Sequence, residues 1–402
     1  MALVIVLLIV LCQGVPPTYD HVRSFERNLS QHSVTVDRTH PRYLRFPGHL
    51  WGHGLNNVLQ EALLMSYLAY VSNVSFVFED YTWSHTPLPW TIHGFALRPA
   101  RIPLNAIISG PTAGGPMSHD SQAPLAVSAD FYERTCGGQE AKPYVLSSAS
   151  APNDEDGTTI IEWWTQQLVS VQERCIEIDS TPHDLFDRFL FGGPRILTLW
   201  ESLTSSPVLS EFAWSPIVQS AVARNSALLQ SDTIKNTYGP SSSFQGLVAV
   251  HLRRGDYKRH CPNLAKWGAR YMGFNQHPSL LDRFDPSPYE NDSASKEGYY
   301  LAHCLPTTNQ IVSVLRTVRR EYQFPKRANA ESDAEQYHVS MAVDMAIAER
   351  AEVFIGNGVS VFHSVTAVAT GSNKLFKFSS LSSNVVLLRM AKGMDVTSNR
   401  FL

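Results

Sequence analysis

The sequence lacks the motifs of several large enzyme classes. It contains no H-E-x-x-H or C-x-x-C set of metal ligands and no G-x-S-x-G turn, which disfavours a zinc site and a serine hydrolase. Charged residues make up 17% of the chain, and the net charge is −3 without a long basic stripe. Because nucleic-acid binding needs concentrated Lys and Arg, we expect no nucleic-acid partner.

The sequence has no early charge: an apolar run extends from Ala2 to Cys12. It is too short to cross a bilayer, which takes about 20 residues, but it fits a secretory signal peptide cleaved after Gly14. The basic residues that usually precede such a run are missing, so the alternative is an uncleaved signal-anchor. Only in that case do we expect the protein to contact the membrane. We expect the ER or Golgi lumen. Sequons that agree with this location lie at Asn28, Asn73 and Asn291.

Cysteine is scarce, with five residues, of which four remain once Cys12 is set aside. An even number in an oxidising compartment favours disulfides over a metal site. The predicted pairs are Cys136 with Cys175 and Cys261 with Cys304.

The most informative stretch runs from Leu247 to Tyr257. Its apolar beginning predicts an interior strand of a parallel sheet, and it ends in Arg253, Arg254 and Gly255. Ligands of open α/β sheets bind at the carboxyl ends of strands. Two guanidinium groups there are suited to an anion such as phosphate. The alternative is a surface turn with an ion pair between Arg254 and Asp256.

The first half shows a related order of elements. A strand at 42–46 leads into a glycine-rich turn at 47–57, then a helix over 55–70 and a strand at 75–78. A glycine turn at a helix start presents backbone N–H groups to an anionic or sugar ligand. His53 is the titratable side chain of this turn and a candidate base.

Both halves therefore read as alternating β and α elements. The second half continues with a helix at 307–322, another at 340–352 and a strand at 353–358, and a polar stretch at 231–245 separates it from a helix at 216–230. We predict an α/β protein with two Rossmann-like domains facing one cleft. Asp154-Glu155-Asp156 matches the D-x-D of metal-dependent transferases, but it lies in a polar loop, which favours a surface role.

Four stretches together resemble the GDP-fucose-dependent protein O-fucosyltransferase-like family, especially its fungal branch. They are Gly52-His53-Gly54-Leu55-Asn56-Asn57; His251-Leu252-Arg253-Arg254-Gly255-Asp256-Tyr257; Val343-Asp344-Met345-Ala346-Ile347 with Phe354-Ile355-Gly356-Asn357; and Ser379-Ser380-Leu381 with Asn384 to Arg389. The resemblance covers residues 42–390 and implies a GT-B-like fold, with an acceptor-side domain at 42–230 and a GDP-fucose domain at 246–390. From composition we expect a polar stem at 15–41 and a signal peptide or short signal-anchor at 1–14.

The resemblance also implies roles for individual residues. Arg253 would grip the diphosphate and stabilise the leaving GDP, and His53 would deprotonate the acceptor, where some relatives carry a glutamate. No metal or other cofactor is then essential. The implied donor-binding residues are Gly54, Asn56, Asn57, His251, Arg254, Asp344, Ser379 and Ser380.

The sequence departs from the family in two places. Residues 359–377 intervene between the F-I-G-N turn and Phe378-Ser379-Ser380-Leu381, and the region 324–337 is shorter than a strand and helix. The leading hypothesis is an inverting fucosyltransferase acting on a protein or glycan hydroxyl. The alternatives are a non-catalytic lumenal protein that binds GDP-sugar or glycan, and a metal-dependent transferase using Asp154 and Asp156.

Overall fold

The structure, a computed structural model, describes residues 14–33, 41–47, 54–93, 96–118, 123–138, 142–229, 243–252, 257–321, 334–358 and 381–401. The helices and strands of the first half are α1 (Asp20–Arg27), β1 (Tyr43–Arg45), α2 (Leu55–Val71), β2 (Ser75–Phe78), β3 (Tyr81–Thr82), β4 (Trp90–His93), β5 (Ala96–Pro99), β6 (Arg101–Ile102), β7 (Val127–Ser128), α3 (Ala129–Cys136), β8 (Tyr144–Ser147), α4 (Gly157–Ser170), β9 (Cys175–Asp179), α5 (Arg188–Gly192), α6 (Trp200–Ser205), α7 (Pro207–Ser210), α8 (Pro216–Arg224) and α9 (Ser226–Leu229). Those of the second half are β10 (Phe244–Val250), α10 (Tyr257–Trp267), α11 (Ser293–Cys304), α12 (Thr308–Glu321), α13 (Ala334–His338), α14 (Ser340–Arg350), β11 (Ala351–Gly356), α15 (Leu381–Ala391) and β12 (Asn399–Phe401).

The first half is organised around a five-stranded parallel sheet. Its strand order is β7–β2–β1–β9–β8, so β1 is central. Helix α2 is buried on almost every side, because it contacts β2, α4, α7 and also α15 of the second half. An apolar helix of this kind belongs to the core rather than the surface. It therefore fixes the two halves to each other.

The second half contains a smaller parallel sheet in the order β10–β11–β12. Alternate residues of β11 face opposite sides: Val353 and Ile355 pack with Val318 of α12, whereas Phe354 belongs to the main core. The predicted α/β class with one parallel sheet in each half is thus confirmed. β12 was not foreseen, and it extends the second half beyond residue 390.

Most predicted elements lie within a few residues of their expected positions, and three details differ. The helix predicted over 216–230 is interrupted at Asn225, which separates α8 from α9. Helix α14 ends at Arg350, so the following strand begins two residues earlier than expected. The prediction of β10 as an interior strand is wrong: within the described part of the sheet it lies at an edge, and residues 246–250 are half-buried because α12 and α14 cover it incompletely.

The segment predicted as a polar stem is packed where the structure describes it. Tyr19, Val22 and Leu29 belong to the main core, and the ring of His32 stacks on Phe131 with centroids 4.5 Å apart. Residues 19–32 thus cover part of the first half. The signal peptide lies almost wholly outside the described residues, and the domain boundaries stay predictions.

Both predicted disulfides are confirmed. Their Cα atoms are 5.9 Å apart for Cys136–Cys175 and 5.8 Å apart for Cys261–Cys304. The first joins α3 to β9, and the second joins α10 to α11, so each half is cross-linked once among the described residues. Within that same part of the chain, none of the helices is long and apolar enough to cross a membrane.

Candidate functional site

The starts of three helices meet where the two halves of the molecule touch. Near the start of α15, the Asn384 side-chain amide donates to the backbone carbonyl of Asn56 in the first turn of α2, at 2.7 Å. The side-chain amide of Asn56 lies 3.8 Å from the sulfur of Met341 in the first turn of α14. Asn56 and Asn384 are both buried. These contacts hold the first turn of α2 against the second half.

His251 joins this junction from the carboxyl end of β10. Its Nδ1 lies 2.9 Å from the hydroxyl oxygen of Ser382, which also accepts the backbone N–H of Asn357 at 3.1 Å. One buried hydroxyl thereby connects the ends of β10 and β11 to the first turn of α15. Since that oxygen already accepts from Asn357, its own hydrogen is available to a neutral His251 Nδ1.

The turn after β11 requires glycine because its surroundings are tight. A Cβ on Gly356 would lie 2.9 Å from Ser382 Oγ, and a Cβ on Gly358 would lie 2.6 Å from the ring of Tyr271. No side chain fits at such distances without moving a neighbour. The F-I-G-N-G sequence therefore reflects close packing of the turn against α15.

The disulfide of the second half supports the same turn. The Asn357 side-chain amide donates to the backbone carbonyl of Cys304 at 3.0 Å, and Cys304 is bonded to Cys261 of α10. Helix α10 begins directly after the arginine-containing segment 253–256 in the sequence. Asn357 and the disulfide thus link the end of β11 to the helix that follows the two arginines.

The electrostatics of this junction favour a negatively charged ligand. Among the described residues, neither α2 nor α15 has an acidic residue in its first turn, so the positive end of each helix dipole is not compensated locally. Gly54 caps α2 without a side chain, and no described atom lies within 4 Å of where its Cβ would be. Open space in front of a helix N-terminus is a suitable anion site.

Several buried amide oxygens at the junction have no hydrogen-bond partner within the described residues. They belong to Asn56, Gln60, Asn357 and Asn384. Leaving one such acceptor unpaired costs about 1–3 kcal/mol, so hydroxyl or N–H groups of a ligand or of water would be bound favourably here. Gln60, Ser382 and Asn384 were not among the predicted site residues. The i,i+4 spacing of Asn56 and Gln60 on an otherwise apolar helix was the available signal.

Asp344 lies on α14, one turn after Met341 and therefore on the same face. Its side chain is exposed, yet the surrounding protein desolvates the carboxyl and raises its pKa above the ordinary value. A carboxyl group that is both accessible and partly desolvated is typical of ligand-binding positions.

Five predicted site residues are therefore described, and they lie on elements that meet. Gly54, Asn56 and Asn57 form the start of α2, His251 directly follows β10, and Asp344 lies on α14 next to the contact with Asn56. The other five fall outside the described residues: His53, Arg253, Arg254, Ser379 and Ser380.

The D-x-D sequence has a structural role. The Asp156 carboxylate accepts the backbone N–H of Thr159 at 3.0 Å and caps α4, and these hydrogen bonds lower its pKa. Among the described residues, no group of three His, Cys, Asp or Glu side chains is arranged to hold a metal ion. The interpretation as a surface acidic group thus fits the described geometry.

Solved structures of POFUT1 have a similar chain fold. The complex with GDP has 15% sequence identity and a TM-score of 0.46, covering 90% of this chain and 99% of that chain. The complex with GDP-fucose has 13% identity and a TM-score of 0.47, covering 90% and 98%. No family model and no curated protein matches the sequence.

Proposed function

We propose that the protein is an inverting glycosyltransferase that transfers fucose from GDP-fucose to an acceptor hydroxyl in the secretory pathway. The observation that carries the proposal is the convergence of the β10 and β11 ends with the starts of α2 and α15. Two helix N-termini whose described first turns contain no carboxylate, beside two strand ends, suit a diphosphate. The resemblance of the four sequence stretches supplies the identity of the nucleotide and the sugar.

The chemical step needs positive charge at the leaving group. As the bond from the anomeric carbon to the diphosphate breaks, negative charge grows on the phosphate oxygens, and groups already in place stabilise it. The starts of α2 and α15 contribute backbone N–H groups. Arg253, supported by Arg254, would contribute the guanidinium, and removing a donor of this kind costs about 3 kcal/mol in catalysis. Ser379 and Ser380 precede α15 in the sequence and would add hydroxyl donors.

Base recognition falls to the second half. Guanine offers two adjacent N–H donors, which a carboxylate binds in bidentate fashion, and Asp344 is the accessible carboxylate beside the junction. His251, held by Ser382, would contact the nucleotide from the end of β10. On the acceptor side, His53 would remove the hydroxyl proton, because it directly precedes Gly54.

Nucleotide binding to the purified full chain tests the proposal. Thermal unfolding and calorimetric titration with GDP, GDP-fucose and UDP should show stabilisation by the two guanine nucleotides and none by UDP. Arg253→Ala should weaken GDP binding at least tenfold. Arg316→Ala, an exposed arginine on α12, is the matched control and should bind GDP like the wild type.

Two results would contradict the donor assignment: a preference for UDP, or GDP binding that is indifferent to Arg253→Ala. Release of GDP from GDP-fucose then separates an enzyme from a non-catalytic binding protein. Tight GDP binding without donor turnover in the presence of candidate acceptors would support the alternative hypothesis, a non-catalytic protein that binds GDP-sugar.

A further inference from the structure

A polar cavity lies at the carboxyl end of the first sheet. Its volume is about 300 Å³, and it is lined by none of the junction residues. Its walls come from the ends of β1 and β2, the start of α3 and helix α1. Ligands of this fold class usually bind at the carboxyl ends of the parallel strands. The cavity volume is at the lower end of the range for small-molecule sites.

Arg23 and Asp80 form the centre of the cavity wall. The two Nη atoms of Arg23 donate to the two carboxylate oxygens of Asp80 at 2.6 and 2.5 Å, and Nη1 also donates to Glu26 at 3.2 Å. Arg45 at the end of β1 donates through Nε to the carboxylate of Glu79, which directly follows the neighbouring strand β2, at 3.0 Å. The guanidinium and carboxylate groups are thus fixed by each other, in planar bidentate geometry at Arg23.

Glu26 is the least accessible of these groups, with 4% of the residue exposed. Its Oε1 has no hydrogen-bond partner within the described residues. Burial and the charge of Asp80 raise its pKa to about 7, while Arg23 and, more weakly, the backbone N–H of Asn105 oppose the rise. Leaving a buried carboxylate oxygen such as Glu26 Oε1 without a hydrogen bond costs free energy, and a ligand hydroxyl would donate to it.

The charges of the cavity are nearly balanced. Arg101 at the rim brings the arginines to three, against the carboxyl groups of Glu26, Glu79, Asp80 and Asp130. A charged ligand would have to compete with the ion pairs that join Arg23 to Asp80 and Arg45 to Glu79. A neutral ligand whose groups both donate and accept can use the remaining lone pairs and N–H groups without doing so. Few lining residues are apolar, so the wall offers little to apolar side chains of a polypeptide.

We propose that this cavity binds a neutral saccharide unit, which is the acceptor of the transfer reaction. This inference rests on the proposed function and narrows its acceptor to a glycan. Pro47 of the cavity wall precedes Gly54 of the junction by seven residues in the sequence. The segment formed by residues 20–26, expected to be a stem, would then contribute to acceptor recognition.

Saturation-transfer NMR on the full chain without nucleotide tests the proposal. The probes are the methyl glycosides of galactose, glucose, mannose and N-acetylglucosamine, with N-acetylthreonine methylamide as the polypeptide probe. At least one glycoside should bind. Ala129→Phe, which fills the cavity from the start of α3, should abolish that binding. Asp80→Asn should weaken it about tenfold, and the exposed Glu162→Gln is the matched carboxylate control.

The outcomes separate this inference from the proposed function. GDP stabilisation of each variant reports that it is folded and that the donor site is intact. Binding of the threonine probe alone, binding of no glycoside, or glycoside binding unchanged by Ala129→Phe would overturn the inference while leaving the GDP result standing. Glycoside binding without GDP binding would refute the acceptor role and the donor assignment together.

Discussion

The carboxyl ends of the two parallel sheets are polar in different ways. At the second sheet, the junction contains buried amides and hydroxyls with two helix starts, and the described first turns of α2 and α15 contain no carboxylate. At the first sheet, the cavity wall contains carboxylates and guanidinium groups, of which Arg23 is paired with Asp80 and Arg45 with Glu79. Unpaired positive ends attract an anion, whereas paired charges favour a neutral ligand with many hydroxyls.

The difference teaches that polarity alone does not define a ligand class. What matters is whether the charges at the site are compensated within the protein. A diphosphate would bring its own negative charge to the second sheet, but at the first sheet it would compete with Glu79 and Asp80 for their arginines. Four predictions test this contrast, beginning with the largest expected effect.

Helix α15 starts at the junction, and a buried arginine holds its opposite end. Arg389 is fully buried and donates to the backbone carbonyl of Glu349 at 3.0 Å and to the side-chain oxygen of Asn399 at 2.7 Å, among other acceptors. Arg389→Met should lower the free energy of unfolding by about 3–5 kcal/mol, because it leaves buried carbonyls unpaired. Urea denaturation measures this. The exposed Arg316→Met should change it by less than about 0.5 kcal/mol, and a cost at that level for Arg389 would show that the anchor is dispensable.

The free energy of unfolding should depend on pH through Glu26, which lines the cavity at the first sheet. Its pKa is about 7 in the folded protein and 4.5 for the free group. The unfolded chain therefore loses this proton first, and the free energy of unfolding decreases by about 3 kcal/mol as pH rises from about 4.5 to 7. Glu26→Gln should remove this decrease, so that the variant gains on the wild type as pH rises. Urea denaturation across that range measures it, and parallel curves would show that Glu26 titrates normally in the folded state.

The sequence predicted the elements better than the contacts between them. The order of strand and helix follows from local patterns, and the even number of cysteines favours disulfides, although it allows three ways of pairing them. The hydrogen bond from Asn384 to Asn56 spans 328 residues, and no local pattern encodes it. Glu26 was placed in a polar stem because composition does not report which polar face becomes buried. An apolar run likewise predicted β10 without showing how completely helices would cover it.

The glycines at the junction should differ in what they contribute. Gly356→Ala should lower stability by about 1–3 kcal/mol, because its Cβ would lie 2.9 Å from Ser382 Oγ. Gly54→Ala meets open space and should cost less than about 1 kcal/mol. If Gly54→Ala nevertheless weakens GDP binding in a titration, the ligand approaches the start of α2 closely. Unchanged GDP binding would place the diphosphate away from that helix.

The smallest expected change in stability comes from a substitution at Asp156, which also tests whether the first half uses a metal. Asp156→Ala should lower the free energy of unfolding by about 1 kcal/mol, because it removes the cap of α4. The exposed Glu155→Ala should change stability by less than about 0.5 kcal/mol. Donor turnover should be equal in both variants and insensitive to EDTA. Loss of turnover in Asp156→Ala together with inhibition by EDTA would instead place a catalytic cation at this loop, and the contrast between the two sheets would then include a metal on the acidic side.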